Sequence, residues 1–222
     1  MAKPEAVFFD VGGTLLSSDM QLFNNLAKEL NSPNSVTELK RMFSEKKSAI
    51  TNNFKTIVQI IAEILIEKGY LQDRAVGFAR ELYAKSFITS GTIYPETMQI
   101  LEELRTAGLK LGVISDADWD ILKLQLEKFK LLGFFSSFSV SSEVMAYKPS
   151  KKIFEHALTN SGLPAEKIIY VGDTQDDIEG SNSTGMLSVF INRDSRNSSK
   201  LKIDPDFEIS TLLDLSELLK YL

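Results

Sequence analysis

The stretch Ala6-Val7-Phe8-Phe9-Asp10-Val11-Gly12-Gly13-Thr14-Leu15 decides how the rest of this 222-residue chain is read. Four successive apolar residues suit a short strand buried on both faces, and the glycine pair behind Asp10 breaks it into a turn. A carboxylate is thereby placed at the carboxyl end of a buried strand, where open α/β sheets put their ligands. Ile168-Ile169-Tyr170-Val171 repeats the pattern, running into Gly172-Asp173, with Asp177 four residues further on. Three carboxylates at two strand ends suggest a metal site, because crowded carboxylates raise one another's pKa unless a cation compensates. Oxygen ligands favour a hard cation, and Mg²⁺ suits a few carboxylates with waters and a phosphate. The chain offers no Cys and a single His as softer ligands.

Composition limits the partners. A net charge of −5 and a pI near 5.1 argue against a nucleic-acid or anionic-membrane partner, either of which favours a basic face. An anionic small molecule must then be held by local donors and the metal. Met-Ala-Lys-Pro-Glu followed by the run to Phe9 is too brief for a signal peptide or membrane span. Together with the lack of Cys this gives a cytoplasmic expectation. The sequence leaves the oligomeric state open.

Beyond the first strand, apolar residues recur at three-to-four spacing: Phe23, Leu26, Ala27 and Leu30; Leu39, Met42 and Phe43; Ile57, Ile60, Ile61, Ile64 and Leu65; Val76, Ala79, Leu82 and Tyr83. This is helical periodicity, interrupted by Pro33-Asn34, Thr51-Asn52-Asn53 and Lys68-Gly69. From Pro95 onward the pattern alternates. Strands are expected at Leu111 to Ser115, Phe138 to Val140, Ile168 to Val171 and Leu187 to Ile191, with helices between them and a last helix from Leu212 to Leu219. Alternation implies a doubly wound, mostly parallel α/β sheet. The division expected is an α/β core of residues 1–16 and 92–222 interrupted by a helical insertion at 17–91. Arg193 to Lys200 reads as a polar loop.

Four segments fall at strand ends: Asp10-Val11-Gly12-Gly13-Thr14, Ser115-Asp116, Lys148-Pro149, and Gly172-Asp173 with Asp177. In this order they resemble the four motifs of the haloacid dehalogenase-like superfamily, across essentially the whole chain, and the insertion resembles that family's helical cap. The resemblance implies a Rossmann-like hydrolase of phosphatase type, acting on a small phosphorylated metabolite. Asp10 is then the nucleophile that forms an aspartyl phosphate, splitting one hard step into two easier ones. Asp10, Asp173, Asp177 and the backbone carbonyl of Gly12 hold Mg²⁺. Ser115, Asp116, Gly13, Thr14 and Lys148 surround the phosphoryl group, Ser115 and Lys148 acting in catalysis, with Lys148 neutralising charge as it develops.

The departure is Gly12. Phosphatases of this superfamily usually carry there a second Asp that protonates the leaving group and then activates water, and glycine does neither. General acid–base catalysis is worth roughly 10² to 10⁴ in rate, so alkyl phosphates should turn over slowly unless another group, such as Asp116, Asp118, Asp120 or a cap residue, supplies the proton. Two alternatives share this origin. One is a carbon–phosphorus hydrolase using a cap lysine, for which Lys46, Lys47 and Lys55 are the candidates. The other is a binding or regulatory domain that has lost turnover. Carbon–halogen cleavage fits less well, since the related dehalogenases need no metal whereas Asp173 and Asp177 are kept. Asn52, Asn53, Lys46, Lys47 and Gln21 are candidate cap contacts to substrate. His156 reads as a surface residue, Trp119 as a core-packing aromatic, and Asp177 also as a helix first-turn acid.

Overall fold

The computed structural model describes residues 3–17, 21–32, 35–49, 53–193 and 201–222. The expected breakers Pro33, Asn34, Thr51 and Asn52, the candidate contact Asn52, and most of the polar loop lie outside them. In chain order the elements are β1 (Ala6–Phe9), α1 (Leu22–Glu29), α2 (Val36–Ser48), α3 (Ile57–Glu67), α4 (Gln72–Ser90), α5 (Thr97–Thr106), β2 (Lys110–Ser115) and α6 (Trp119–Lys128). They continue with β3 (Ser137–Val140), α7 (Ser141–Val144), α8 (Lys151–Ser161), β4 (Ile168–Gly172), α9 (Gln175–Thr184), β5 (Leu187–Ile191), β6 (Phe207–Ile209) and α10 (Asp214–Leu218).

The strands form one sheet in the order β3-β2-β1-β4-β5-β6, and every pairing is parallel. The expectation of a doubly wound, mostly parallel sheet holds. After β1 the chain steps outward through β2 to β3, then returns to lay β4 on the other side of β1. The β1/β4 boundary is therefore the switch point, where a crevice opens at the carboxyl ends of the strands. The register makes this concrete: Phe9 is level with both Val113 and Val171, and the Asp10 N–H donates to the Val171 carbonyl at 2.9 Å. β1 and β4 are buried at every residue, which explains why both read as unbroken apolar runs rather than alternating ones. The edge strand β6 was not expected. It has three residues and only Ile209 is buried, leaving no apolar run to find.

The chain divides into two compact units, Met1–Ser18, Thr92–Asp116 and Phe129–Leu222 in the first, and Asp19–Gly91 with Ala117–Lys128 in the second. The first holds the whole sheet. The second is helical, and it includes α6, which the sequence pattern had grouped with the 92–222 segment. Four side chains account for that grouping. Gln125 Nε2 donates to the Phe87 carbonyl at 2.7 Å and Lys128 Nζ to the Ile88 carbonyl at 2.5 Å, satisfying carbonyls in the last turn of α4. Asp120 pairs with Arg80. Buried Asp118 accepts the N–H groups of Ile57 and Val58 at 2.9 and 3.0 Å, a second N-terminal cap on α3 beside the Thr56–Gln59 capping box.

Asp118→Ala should cost about 2 kcal/mol, since two N–H groups at the start of α3 would lose a charged acceptor in a buried setting. The only tryptophan of the sequence, Trp119, lies in this unit, so urea unfolding followed by its fluorescence reads the loss directly. An unchanged midpoint would show that Thr56 alone suffices.

Two helix readings need correction. Val76 is 55% exposed rather than part of an apolar face. His156 is half-buried, and its Nδ1 lies 2.8 Å from Ser139 Oγ on β3, which ties α8 to the sheet. Among the described residues, no helix is long and apolar enough to cross a membrane.

Candidate active site

The two strand ends predicted to carry acids are brought together. Asp10, Asp173 and Asp177 each offer a carboxylate oxygen, all within 4.8 Å of one another. Asp10 is pinned by the β1/β4 pairing through its own N–H, and Asp173 follows the last residue of β4. Asp177 stands on the first turn of α9, where it completes a capping box with Thr174. The structural role considered for Asp177 is real, and it accompanies a role in the acid cluster.

Glycines make the close packing possible. Gly13 adopts φ +89°, and a Cβ there would fall 2.1 Å from Asp173 Oδ2; a Cβ at Gly172 would fall 2.3 Å from Asp177 Cγ. Any side chain at either position would displace a carboxylate, so the backbone itself forms part of the cradle. Gly12 differs. A Cβ there meets no heavy atom within 4 Å, and its φ is not among the positive values, so nothing in the local structure requires glycine.

Lys148 supplies the counter-charge. Its Nζ donates to Asp10 Oδ1 at 2.6 Å and Asp177 Oδ1 at 2.7 Å, with Tyr170 Oη at 3.3 Å. Tyr170 in turn donates to Asp177 Oδ1 at 2.7 Å. Asp177 Oδ2 accepts the Thr174 N–H at 3.0 Å and the Thr174 hydroxyl at 2.6 Å. Each Asp177 oxygen thus takes two donors, matching its lone pairs. Asp173 is the opposite case, because its Oδ1 is buried with no hydrogen-bond partner, a costly arrangement.

The electrostatics follow. Burial, with Asp10 and Asp177 nearby, pushes the Asp173 carboxyl up to about 8. Burial likewise raises Asp10 to about 6, Lys148 working against it and Asp177 with it. For Asp177, burial is outweighed by Lys148 and the hydrogen bonds, which hold it below the ordinary value. Burial alone would push Lys148 down, but Asp10 and Asp177 keep it well above its ordinary value. The cluster carries more negative charge than Lys148 balances, and the strain is concentrated on Asp173.

The remaining predicted residues sort differently. Ser115 is buried at the end of β2, and Thr14 is buried with an unpartnered hydroxyl. Asp116, expected beside the phosphoryl group, accepts the Lys148 backbone N–H at 2.9 Å and so helps place that lysine. Substitute acids are not evident after the second motif, since Asp116, Asp118 and Asp120 are each engaged as described. In the helical unit Lys46 pairs with Glu67 at 2.5 Å and Lys55 with Glu63 at 2.6 Å, and the bond Lys46 donates to Glu67 keeps its pKa raised. A Schiff-base lysine requires the reverse.

Arg193 was missed. It follows β5 in a stretch read only as polar loop, yet its guanidinium donates to the Gly13 carbonyl at 3.2 Å and the Thr14 carbonyl at 2.7 Å. It also pairs with Glu96 at 2.6 Å and stacks 3.4 Å from the centre of the Tyr94 ring.

With this geometry in place, comparison with known proteins is informative. Residues 7–191 match the family profile of haloacid dehalogenase-like hydrolases. The glyceraldehyde 3-phosphate phosphatase of Methanocaldococcus jannaschii is 32% identical over 190 residues, 77% of this chain and 82% of that protein. The crystal structure of a HAD phosphatase from Thermococcus onnurineus superposes with a TM-score of 0.70 at 26% identity, covering 97% of each chain. The L-2-haloacid dehalogenase RSc1362 shares the fold, with a TM-score of 0.77 at 21% identity over 99% of this chain and 100% of that one. The chain belongs to the haloacid dehalogenase-like hydrolases, as the four strand-end motifs implied.

Proposed function

We propose that this hydrolase is a Mg²⁺-dependent phosphatase that uses Asp10 as a nucleophile on a small phosphorylated metabolite with a good leaving group. The observation carrying the reading is the acid cluster itself, in which buried Asp173 Oδ1 has no partner while Asp10 and Asp177 lie within 4.8 Å. A hard cation fits this donor set, with Asp10, Asp173 and the Gly12 carbonyl as direct ligands. Asp177, whose oxygens are saturated by Lys148, Tyr170 and Thr174, would contribute its negative charge to the site rather than a free ligand oxygen. When bound, Mg²⁺ would offset the surplus carboxylate charge and favour an incoming phosphoryl group.

In the first step the Asp10 carboxylate attacks phosphorus, an acyl phosphate forms on Asp10, and the bond to the leaving oxygen breaks. Lys148, fixed by Asp10, Asp177 and the Asp116 contact to its backbone, keeps its positive charge beside the reacting oxygens. Ser115 and Thr14 orient the phosphoryl oxygens; Gly13, expected to join them, has its N–H on the Leu16 carbonyl at 2.7 Å and shapes the loop instead. In the second step water attacks phosphorus and Asp10 is released. Gly12 supplies no acid to the first step and no base to the second. Esters of acidic leaving groups need the acid least, and this sets the substrate class apart from the plain alkyl ester in the name of the archaeal relative. The pairing of Lys46 and Lys55 removes support from two of the three lysines considered for the carbon–phosphorus alternative, leaving Lys47 as the residue on which that alternative would be tested. Within this reading the partner is a small molecule, and the compartment proposed for the reaction is the cytoplasm. The test is turnover of an aryl phosphate with Mg²⁺ and with EDTA; turnover unaffected by chelation would sink the metal assignment.

Proton linkage gives a readout without turnover. Asp10 and Asp173 rise from an unfolded value of 3.8 to about 6 and about 8, so between those limits the metal-free native state binds more protons than the unfolded chain. Its stability therefore falls as pH rises from about 4 to about 8. Mg²⁺ binds the deprotonated carboxylates, so its stabilising increment grows over the same window. Melting in EDTA and in Mg²⁺ at about pH 5 and about pH 8.5 tests both signs; equal increments at the two pH values would contradict the cluster's role.

A further inference from the structure

We propose that Arg193 is a positioning residue for the phosphoryl-binding loop, acting through the Gly13 and Thr14 carbonyls rather than by touching substrate. The proposal rests on the phosphatase reading of the same site. Three consecutive carbonyls of that loop are held from one neighbourhood. Arg193 takes those of Gly13 and Thr14. The Leu15 carbonyl accepts the Tyr94 N–H at 3.3 Å and the Thr97 hydroxyl at 2.8 Å. Each peptide unit is planar and trans, so a carbonyl fixed on one side fixes the next residue's N–H on the other. Arg193 thereby sets the direction of the Thr14 N–H, and through the Thr14 carbonyl it backs the turn in which the Leu15 N–H donates to the Val11 carbonyl at 3.0 Å.

The same contact reaches the metal-binding acids. Gly13 lies directly against the Asp173 carboxylate, leaving no room for a Cβ. A shift of the Gly13 carbonyl thus moves the surface on which Asp173 rests. Arg193 is well built to prevent this. Its side chain is 18% exposed, Glu96 takes Nη1, and the Tyr94 ring covers its face, while Glu96 is itself steadied by the Thr211 hydroxyl at 3.4 Å. A planar fork that bonds two carbonyls and a carboxylate while stacked on an aromatic ring has no lysine equivalent.

The test compares Arg193→Lys and Arg193→Ala with wild type by three measurements: amide hydrogen exchange over residues 11–16, calorimetric affinity for inorganic phosphate in Mg²⁺, and kcat and KM on an aryl phosphate. In Arg193→Lys the expected result is faster exchange in the loop, phosphate binding weakened about tenfold, and kcat reduced about 10-fold to 100-fold, with melting close to wild type. Methylguanidine should restore part of the kcat of Arg193→Ala. Loop exchange, phosphate affinity and kcat all within about twofold of wild type in a folded Arg193→Lys would overturn the proposal. So would failure of both variants to fold, which would make Arg193 a tether of the fold. A wild type without turnover on any phosphate ester, but with the exchange and affinity changes intact, would sink the phosphatase reading and leave the positioning role standing.

Discussion

Asp10→Asn is expected to abolish Mg²⁺-dependent turnover of an aryl phosphate, by roughly 10⁴-fold or more, because an amide at this position cannot form the acyl phosphate on which the two-step route depends. The substitution is nearly isosteric, so the site around it should survive. Lys148 would still be held by Asp177 at 2.7 Å, and the Val171 carbonyl would still accept the residue 10 N–H. Removing one of the three cluster carboxylates also relieves Asp173, whose elevated pKa owes part of its rise to Asp10. The variant should therefore be at least as stable as wild type in EDTA near neutral pH while binding Mg²⁺ more weakly. Calorimetry with Mg²⁺ and a melting curve in EDTA separate these effects from turnover. Residual turnover within about tenfold of wild type, from a preparation free of contaminating phosphatase, would remove Asp10 from the nucleophile role.

The acid cluster was legible in sequence for a physical reason. β1 and β4 are buried on both faces, so their apolar runs are unbroken, and a carboxylate directly after such a run can only lie at a strand end. Adjacency of the two ends follows from the strand order, which sets β4 beside β1 and which the alternation of strands and helices does not by itself fix. Arg193 was illegible because its meaning lies in hydrogen bonds to residues 180 and 179 positions away, and nothing in Asn192-Arg193-Asp194 marks it apart from an ordinary polar loop. The same holds for Asp116, Asp118 and Asp120. Proximity to a strand end made all three candidates for proton donation, yet they are taken by a backbone N–H, a helix start and an arginine. Periodicity identified α6 but could not say which unit it joins. That is decided by Gln125 and Lys128 reaching the end of α4, and by Asp118 and Asp120, contacts that leave no trace in apolar spacing.

Gly12→Asp is expected to raise kcat on alkyl phosphates by roughly 10-fold to 10³-fold, and on aryl phosphates to quicken chiefly the second step, hydrolysis of the acyl phosphate, while the cleavage that releases the phenol changes much less. Space is available, since a Cβ at residue 12 meets no heavy atom within 4 Å and φ there is not positive. A Cβ at residue 12 is therefore accommodated without backbone strain, and Mg²⁺ affinity measured beside turnover separates the proton donor from the extra charge the variant brings to the cluster. A carboxyl group two residues after the nucleophile would protonate the leaving oxygen in the first step and take a proton from water in the second. Wild type lacks the second function as well as the first. Its acyl phosphate on Asp10 should therefore outlast substrate cleavage, and rapid mixing with an aryl phosphate should show a burst approaching one equivalent of phenol per chain, absent in Gly12→Asp. A silent wild type with an active Gly12→Asp would identify a site shaped for phosphoryl transfer but lacking its proton donor, favouring the regulatory alternative. Equal wild-type rates on alkyl and aryl esters, with no burst and no gain in the variant, would mean that another group already moves these protons. Since Asp116, Asp118 and Asp120 are committed to other partners, that group would lie outside the second motif, and the substrate's own acidic groups would be the first to vary.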